Sequence, residues 1–346
     1  MLKRKKETMF RQYLSKIVKK VDLGEKEMFH MINEIFSGNI TDAQIGAFMA
    51  ALATKGETFE ELAGAAKAMR ENALRIHTGV SHVVDTCGTG GDGSDTFNIS
   101  TTAAFVVAGC GVPVAKHGNR SVSSRCGSAD LLETLGVKIG ANPDLAEQSI
   151  VNVGIGFMFA PVFHGAMRYA ANARKEIGMR SIFNMVGPLS NPAGADFQVI
   201  GVYDPKLTEM FANALIRLGS KRAFVVHGHD GLDEITVCAP TRISELKNGK
   251  VTTYDIVPEE FFGQTADSKS LIGGDPKVNA EITLRILSGE KSPRRDVVLI
   301  NASAALVAVG KSKDLIQGIQ MAKDAIDSGA AKDKLDKLIT FTRNIL

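Results

Sequence analysis

The sequence of 346 residues has no tryptophan and only 4 tyrosines. Proteins that stack nucleic-acid bases rely on aromatic rings, so their scarcity weighs against such a surface. An excess of one charge is missing too. Lys and Arg number 41 against 38 Asp and Glu, a net of +3, and that offers a polyanion no broad attraction. The one basic run, Met1-Leu-Lys-Arg-Lys-Lys6, is short and reads as a solvated tail. No apolar run approaches the roughly 20 residues that span a bilayer, and the start lacks the continuous apolar stretch of a secretory signal. The 4 cysteines, Cys87, Cys110, Cys126 and Cys238, show neither CxxC nor zinc spacing. They are expected as reduced thiols of a cytoplasmic protein. No internal repeat or low-complexity segment is visible.

What the sequence does have is apolar content and glycine: 44% hydrophobic residues, enough for a sizeable core, and 34 glycines. Length suggests about two domains. Met28, Ile32, Ile35 and Phe36 recur at helical spacing. Thr41-Asp-Ala-Gln44 and Thr58-Phe-Glu-Glu61 are capping boxes that start two further helices, and Lys55-Gly56 stops the first of these. Residues 1–76 therefore read as a small α-helical domain. From residue 77 to 346 the pattern becomes α/β. Short β-branched runs at 83–85, 112–115, 197–202, 223–226 and 296–300 suit strands buried on both faces. Helical stretches at 101–108, 143–151, 207–218 and 302–309 alternate with them, which predicts a mainly parallel sheet. Two helices, over 313–328 and 331–345, close the chain.

Four segments carry chemistry. Residues 85–101 (DTCGTGGDGSDTFNIST) follow a strand and lead into an apolar helix. Glycines let backbone amides approach a phosphate closely, and Ser100 and Thr101 fall at a helix start, where free amides favour anions. The glycine spacing is neither GxGxxG nor Walker A, which argues against dinucleotides and nucleoside triphosphates. Residues 116–128 (KHGNRSVSSRCGS) are expected in a loop at a strand's carboxyl end, where α/β sheets bind ligands. Lys116 supplies a point charge for phosphate there. Asp233 and Glu234 follow another strand and suit a hard cation such as Mg2+. His164 and Arg174 lie ten residues apart across a predicted helix, and an arginine can grip a carboxylate at two points. The commoner outcome for each of these two, taken alone, is a structural histidine and a surface arginine.

In order and spacing, five motifs resemble the anthranilate phosphoribosyltransferase family. They are Gly88-Thr-Gly-Gly-Asp92, Asn98-Ile-Ser-Thr101, Lys116-His-Gly-Asn-Arg120, Asn184-Met-Val-Gly-Pro-Leu-Ser-Asn-Pro192 and Asp233-Glu234. The resemblance runs from about residue 22 nearly to the end. It implies a small helical domain beside a larger α/β domain with the active site in the cleft at their hinge. A segment near 165–190 would return to the helical domain, through which family members form homodimers. It implies that phosphoribosyl pyrophosphate (PRPP) is held by Gly88, Gly91, Asp92, Thr96, Asn98, Ile99, Ser100, Thr101, Lys116, His117, Gly118, Asn119, Arg120, Ser121, Val122, Ser123, Ser124 and Ser128. Ser100, Asp233 and Glu234 would serve two Mg2+ ions. Anthranilate would meet Gly88, His117, Asn119, His164, Arg174, Gly187 and Pro188. The expected partners are these two small substrates, with no nucleic acid and no membrane. The alternatives are a pyrimidine nucleoside phosphorylase, which shares this architecture, and a non-catalytic relative that binds nucleic acid through its basic leader.

Overall fold

The computed structural model describes residues 2–121, 125–140 and 142–344. The chain begins with four helices: α1 (Leu2–Val18), α2 (Glu25–Phe36), α3 (Asp42–Lys55) and α4 (Phe59–Glu71). Both capping boxes form, the Thr41 and Thr58 hydroxyls accepting from the amides of Gln44 and Glu61. Gly56, at φ +88°, ends α3 in a conformation that favours glycine. Met28, Ile32, Ile35 and Phe36 are buried in one core, as their spacing requires. Glu61 is fully buried at the heart of this unit. It accepts from the amides of Leu23 and Thr58, each at 2.9 Å, and from Lys55 Nζ at 3.0 Å. Such pairing lets a charge persist in a core.

The rest builds a seven-stranded sheet in the order β3-β2-β1-β4-β5-β6-β7. Its strands are β1 (Val84–Gly88), β2 (Val114–Gly118), β3 (Ile155–Phe159), β4 (Phe197–Gly201), β5 (Arg222–Gly228), β6 (Thr241–Lys247) and β7 (Lys250–Ile256). The first five in that order are parallel, and β6 and β7 form an antiparallel hairpin edge. The chain is thus α/β, with a small helical unit and a mostly parallel sheet. Along β5, Phe224 and Val226 enter one core while Ala223 and Val225 enter the other, the two-residue alternation of a sheet covered on both faces. One face lies under α5 (Ile99–Gly109), α14 (Pro293–Ala308) and α16 (Ala330–Asn344), with α15 (Leu315–Asp327) packed on those helices; the other lies under α11 (Leu207–Arg217), which also packs on α4. The chain runs outward from β1 to β3 and then returns to β4 on the other side of β1. That reversal opens a crevice between the carboxyl ends of β1 and β4.

Between β3 and β4 come α8 (Ala160–Phe163), α9 (Arg168–Ile177) and α10 (Ile182–Met185). Here α9 packs on α2 and α3, and α10 on α3 and α4. The chain therefore passes between the two units at 72–83, 164–167 and 186–196. Short helices α6 (Ser128–Thr134), α7 (Pro143–Val153), α12 (Glu259–Phe262) and α13 (Pro276–Leu287) fill the remaining connections.

Two readings of the sequence need correction. Residues 296–300 are not a strand but the interior of α14, which starts at the Ser292 cap with Pro293 in its first turn. A helix buried all round shows no polar face, so its apolar run imitates a buried strand. Lys116 and His117 lie within β2 rather than in the loop after it. Strands β3, β6 and β7 were not foreseen. Ile345, the last residue expected in the closing helix, lies outside the described residues.

Candidate active site

The crevice at the β1 and β4 ends is lined by backbone before side chains. Gly88 ends β1 and pairs with Gly201 of β4. A Cβ on Gly88 would stand 2.7 Å from Asp233 Oδ2, and one on Gly201 only 1.5 Å from the Asp233 carbonyl oxygen. Glycine at both strand ends is what lets the loop after β5 close over the sheet edge. Gly90, Gly91 and Gly93 then take φ of +64°, +74° and +74°, which leaves Asp92 the one side chain on that stretch of the loop after β1.

The acids gather here. Gly90 N donates to Asp233 Oδ2 at 2.8 Å, and Asp233 N to Asp92 Oδ2 at 3.5 Å. Glu234 Oε1 accepts from Ser100 N at 3.1 Å in the first turn of α5, so a carboxylate occupies the positive end of that helix. Burial, followed by the charges of Asp92 and Glu234, pushes the Asp233 carboxyl up, and burial pushes Glu234 up to about 7 against the opposing pull of Lys116. Among the described residues no three of the histidines, cysteines and acids close round a metal ion by themselves. The acids could supply part of an oxygen shell. That suits Mg2+, which keeps water and phosphate oxygens as its other ligands.

Lys116 comes from the adjacent strand and is 3% exposed. Its Nζ donates to the Thr86 carbonyl and approaches Ser100 Oγ at 3.5 Å. Burial lowers its affinity for the proton, while Asp85, Glu234 and Asp233 work the other way. A buried ammonium thus faces the α5 start and the acid pair together.

The next residue, His117, meets His164 with Nε2 atoms 3.2 Å apart. Burial first, then the His164 charge, lowers His117 to about 3, and burial lowers His164 to about 4, so both rings are neutral. The backbone of Gly187 works the other way on His117. Between the two Nε2 atoms one ring donates and the other accepts, as their tautomers dictate. His164 Nδ1 is buried and has no hydrogen-bond partner. Asp85, fully buried, anchors the pair: its Oδ1 accepts from His117 N at 3.1 Å and its Oδ2 from Asn191 Nδ2 at 2.7 Å.

The other expected residues are distributed unevenly. Asn98 precedes α5 and is held by Cys126 O and Asn279. Ile99 and Thr101 turn buried side chains into the core, so only their backbone faces the cleft. Gly118 is pinned by Ser128 Oγ, 2.2 Å from where a Cβ would stand. Asn119 turns its carbonyl to Ala129 N and Ser128 Oγ. Ser121 N caps back onto Asp130. Arg120 does not join the cluster, since its guanidinium pairs with Asp130 at 2.9 Å and Glu133 at 2.6 Å on α6. Thr96 bridges to Ile272 at the loop's far end. Pro188 O accepts from Gln198 Nε2 at 2.9 Å. Arg174 lies 5.8 Å over the Phe183 ring, in the helical unit. Val122, Ser123 and Ser124 lie outside the described residues. Sequence reasoning did not single out Asp85, Asn191 as its partner, or Arg180. A buried acid in a strand and a lone arginine carry no spacing signal.

Comparison with known proteins follows the same outline. Residues 11–73 match the model of the glycosyl transferase family, helical bundle domain, and residues 80–332 that of the glycosyl transferase family, a/b domain. The anthranilate phosphoribosyltransferase of Desulfosudis oleivorans is 65% identical over 337 residues, 97% of this chain and 99% of that protein. That of Syntrophobacter fumaroxidans is 62% identical over 96% of the chain and 99% of its own length. The solved structure of the Thermus thermophilus anthranilate phosphoribosyltransferase superposes with a TM-score of 0.90 at 41% identity, covering 95% of this chain and 99% of that one. The Saccharomyces cerevisiae enzyme, solved in complex with PRPP and Mg, gives 0.87 at 27% identity, covering 98% and 99%.

Proposed function

Since the chain belongs to the anthranilate phosphoribosyltransferase family, we propose that the crevice between β1 and β4 is where it transfers the phosphoribosyl group of PRPP to the amine of anthranilate. The products are N-(5-phosphoribosyl)anthranilate and pyrophosphate, in the biosynthesis of tryptophan. The nucleoside phosphorylase alternative gives way, because the 65% identical relative is an anthranilate phosphoribosyltransferase. One observation carries the site assignment: Lys116, the α5 start and the acid pair Asp233-Glu234 meet at one place, beside a glycine-rich loop.

In the transfer, the bond from ribose C1 to the diphosphate oxygen breaks and its electrons leave with pyrophosphate. Negative charge grows on the leaving group and positive charge on the sugar. Lys116, the amides of the Gly88–Asp92 loop and those at Ser100 and Thr101 are aimed where that negative charge develops. Asp233, Glu234 and the Ser100 hydroxyl would hold two Mg2+ ions, which supply further neutralisation of the diphosphate. Thr96, Asn98, Gly118, Asn119, Ser121 and Ser128 would complete the donor cradle. Anthranilate is placed against Gly88, Asn119, His117, His164 and the Gly187-Pro188 turn, with Arg174 for its carboxylate. Its aromatic amine is uncharged at neutral pH and needs no strong base. With its proton on Nε2, His164 would offer its unpartnered Nδ1 as an acceptor to that amine and orient it for attack at C1.

We also propose a homodimer through the helical unit, whose Met9, Val18 and Val21 expose apolar side chains. A cytoplasmic location fits four cysteines without a disulfide. No described helix is long and apolar enough to cross a membrane. The balanced charge suits small substrates rather than nucleic acid. The test is loss of anthranilate fluorescence on adding PRPP, with and without Mg2+. Absence of Mg2+-dependent loss, together with phosphate-dependent release of base from uridine, would overturn the reading.

A further inference from the structure

The geometry points to Arg180 as a positioning residue that sets the direction of a peptide in the phosphate-gripping loop, and this rests on the donor site proposed above. Arg180 follows the end of α9 at Gly178, so it is carried by the segment that packs on the helical unit. Its Nη2 donates to the carbonyl of Gly91 across the crevice. Its guanidinium lies 4.2 Å over the ring of Tyr203, just past the end of β4. Tyr203 N in turn donates to Thr89 Oγ1 at 3.2 Å, and Thr89 N to Gly201 O at 2.9 Å. Loop, strand end and helical-unit segment are thus tied through one side chain.

A loop with three glycines at positive φ has many peptide orientations of similar energy. In a planar trans peptide the carbonyl and the following N–H point in opposite directions. Holding the Gly91 carbonyl toward Arg180 therefore turns the Asp92 N–H away from it. The guanidinium is rigid and stacked on Tyr203, and it approaches so closely that a Cβ on Gly91 would stand 3.0 Å from Nη2. Arg180 thereby prepares an amide for the donor's diphosphate before the donor arrives.

Arg180→Ala should raise the KM for PRPP by about ten- to a hundredfold, the worth of one hydrogen bond from a charged donor. The kcat and the KM for anthranilate should change by less than about threefold. Arg180→Lys, which keeps a donor but not the planar stack, should recover part of the loss. Tyr203→Leu should show the same selective rise, smaller in size. An unchanged PRPP KM in Arg180→Ala would overturn the role. So would a fall in kcat alone, which marks direct contact with the leaving group, or an equal loss in every constant with a lowered Tm, which marks a purely structural part. Failure of the wild-type chain to consume anthranilate would instead sink the proposed function, leaving the two results distinct.

Discussion

Replacing Gly201 by alanine should disable the site from behind, by pushing on the backbone of Asp233 rather than removing any side chain. The added Cβ would lie 1.5 Å from the Asp233 carbonyl oxygen and 2.4 Å from its carbon. Ordinary contact needs roughly 3.5 Å, so the Asp233 peptide has to retreat by about 2 Å or β4 has to give way. Strand β4 is held on both sides, by β1 and β5, so the acid-bearing loop is the part that yields. The φ of Gly201 lies outside the left-handed region, so the effect is steric alone. Asp233 and Glu234 move together, and with them the bonds to Gly90 N and Ser100 N. A misplacement of about 1 Å can cost about a hundredfold in rate, whereas overpacking costs about 1–3 kcal/mol in stability. The fluorescence assay at saturating substrates and Mg2+ should therefore show turnover at least about a hundredfold down. Far-UV circular dichroism and urea unfolding should show a folded protein. Gly46→Ala in α3, where a Cβ meets nothing within 4 Å, serves as control: activity unchanged and stability up by about 1 kcal/mol. Turnover by Gly201→Ala within threefold of wild type would refute the argument.

Other perturbations test the remaining parts. Asp233→Asn with Glu234→Gln should cut turnover by at least about a thousandfold and leave the circular dichroism spectrum intact; retained turnover would remove these acids from the metal role. Arg174→Ala should raise the KM for anthranilate about tenfold, the worth of a carboxylate grip, and that for PRPP much less; an equal rise in both contradicts the assignment. The proton affinities of His117 and His164 are depressed by burial to about 3 and about 4 from 6.5. Their neutral forms therefore favour the fold, with the benefit complete above pH 6.5 and lost as pH falls toward 4. Each histidine should remove about 2 kcal/mol by pH 5, read as the difference in urea stability between pH 7.5 and 5; a flat profile would show the rings are not so buried. Glu61→Leu should destabilise by about 3 kcal/mol, since it takes one of two carboxylate partners from Lys55, 3% exposed at its side chain and left with Asp22, and leaves two buried amides unpaired. A change below about 1 kcal/mol would mean the charges are solvated in another way.

Much of the fold was legible where local chemistry and tertiary demand coincide. Thr41 and Thr58 announce their helices because capping is a local bond. The β-branched runs of β1, β2, β4 and β5 announce buried strands because both faces are covered. Where a pattern has two physical readings, legibility fails, and α14 is the case in point. Strand β3 was hidden by Gly156, which is required because the Ala146 carbonyl lies 2.4 Å from where its Cβ would be. The β6–β7 hairpin did carry a signal: Asn248 and Gly249 at φ +52° and +72° form the Asn-Gly turn that joins such strands. At the site, glycines, Lys116 and the acid pair stand out through composition at strand ends. The His117–His164 contact, the Asp85 anchor and the reach of Arg180 to Gly91 join residues far apart in the chain, and no spacing rule encodes them. Arg120, its basic neighbour in the same motif, is diverted by two acids of α6, which only the fold reveals.

The threefold passage of the chain between its two units, at 72–83, 164–167 and 186–196, limits what either can do alone. Exchange of a helical unit between subunits needs a single tether that can be thrown across; with three, it is topologically closed. A cut at residue 76 would not release a free-standing piece, because α9 and α10 would stay behind with their apolar faces bare. A swing of the pair, like a door hung on several pins, would open and shut the crevice where the two substrates are proposed to meet.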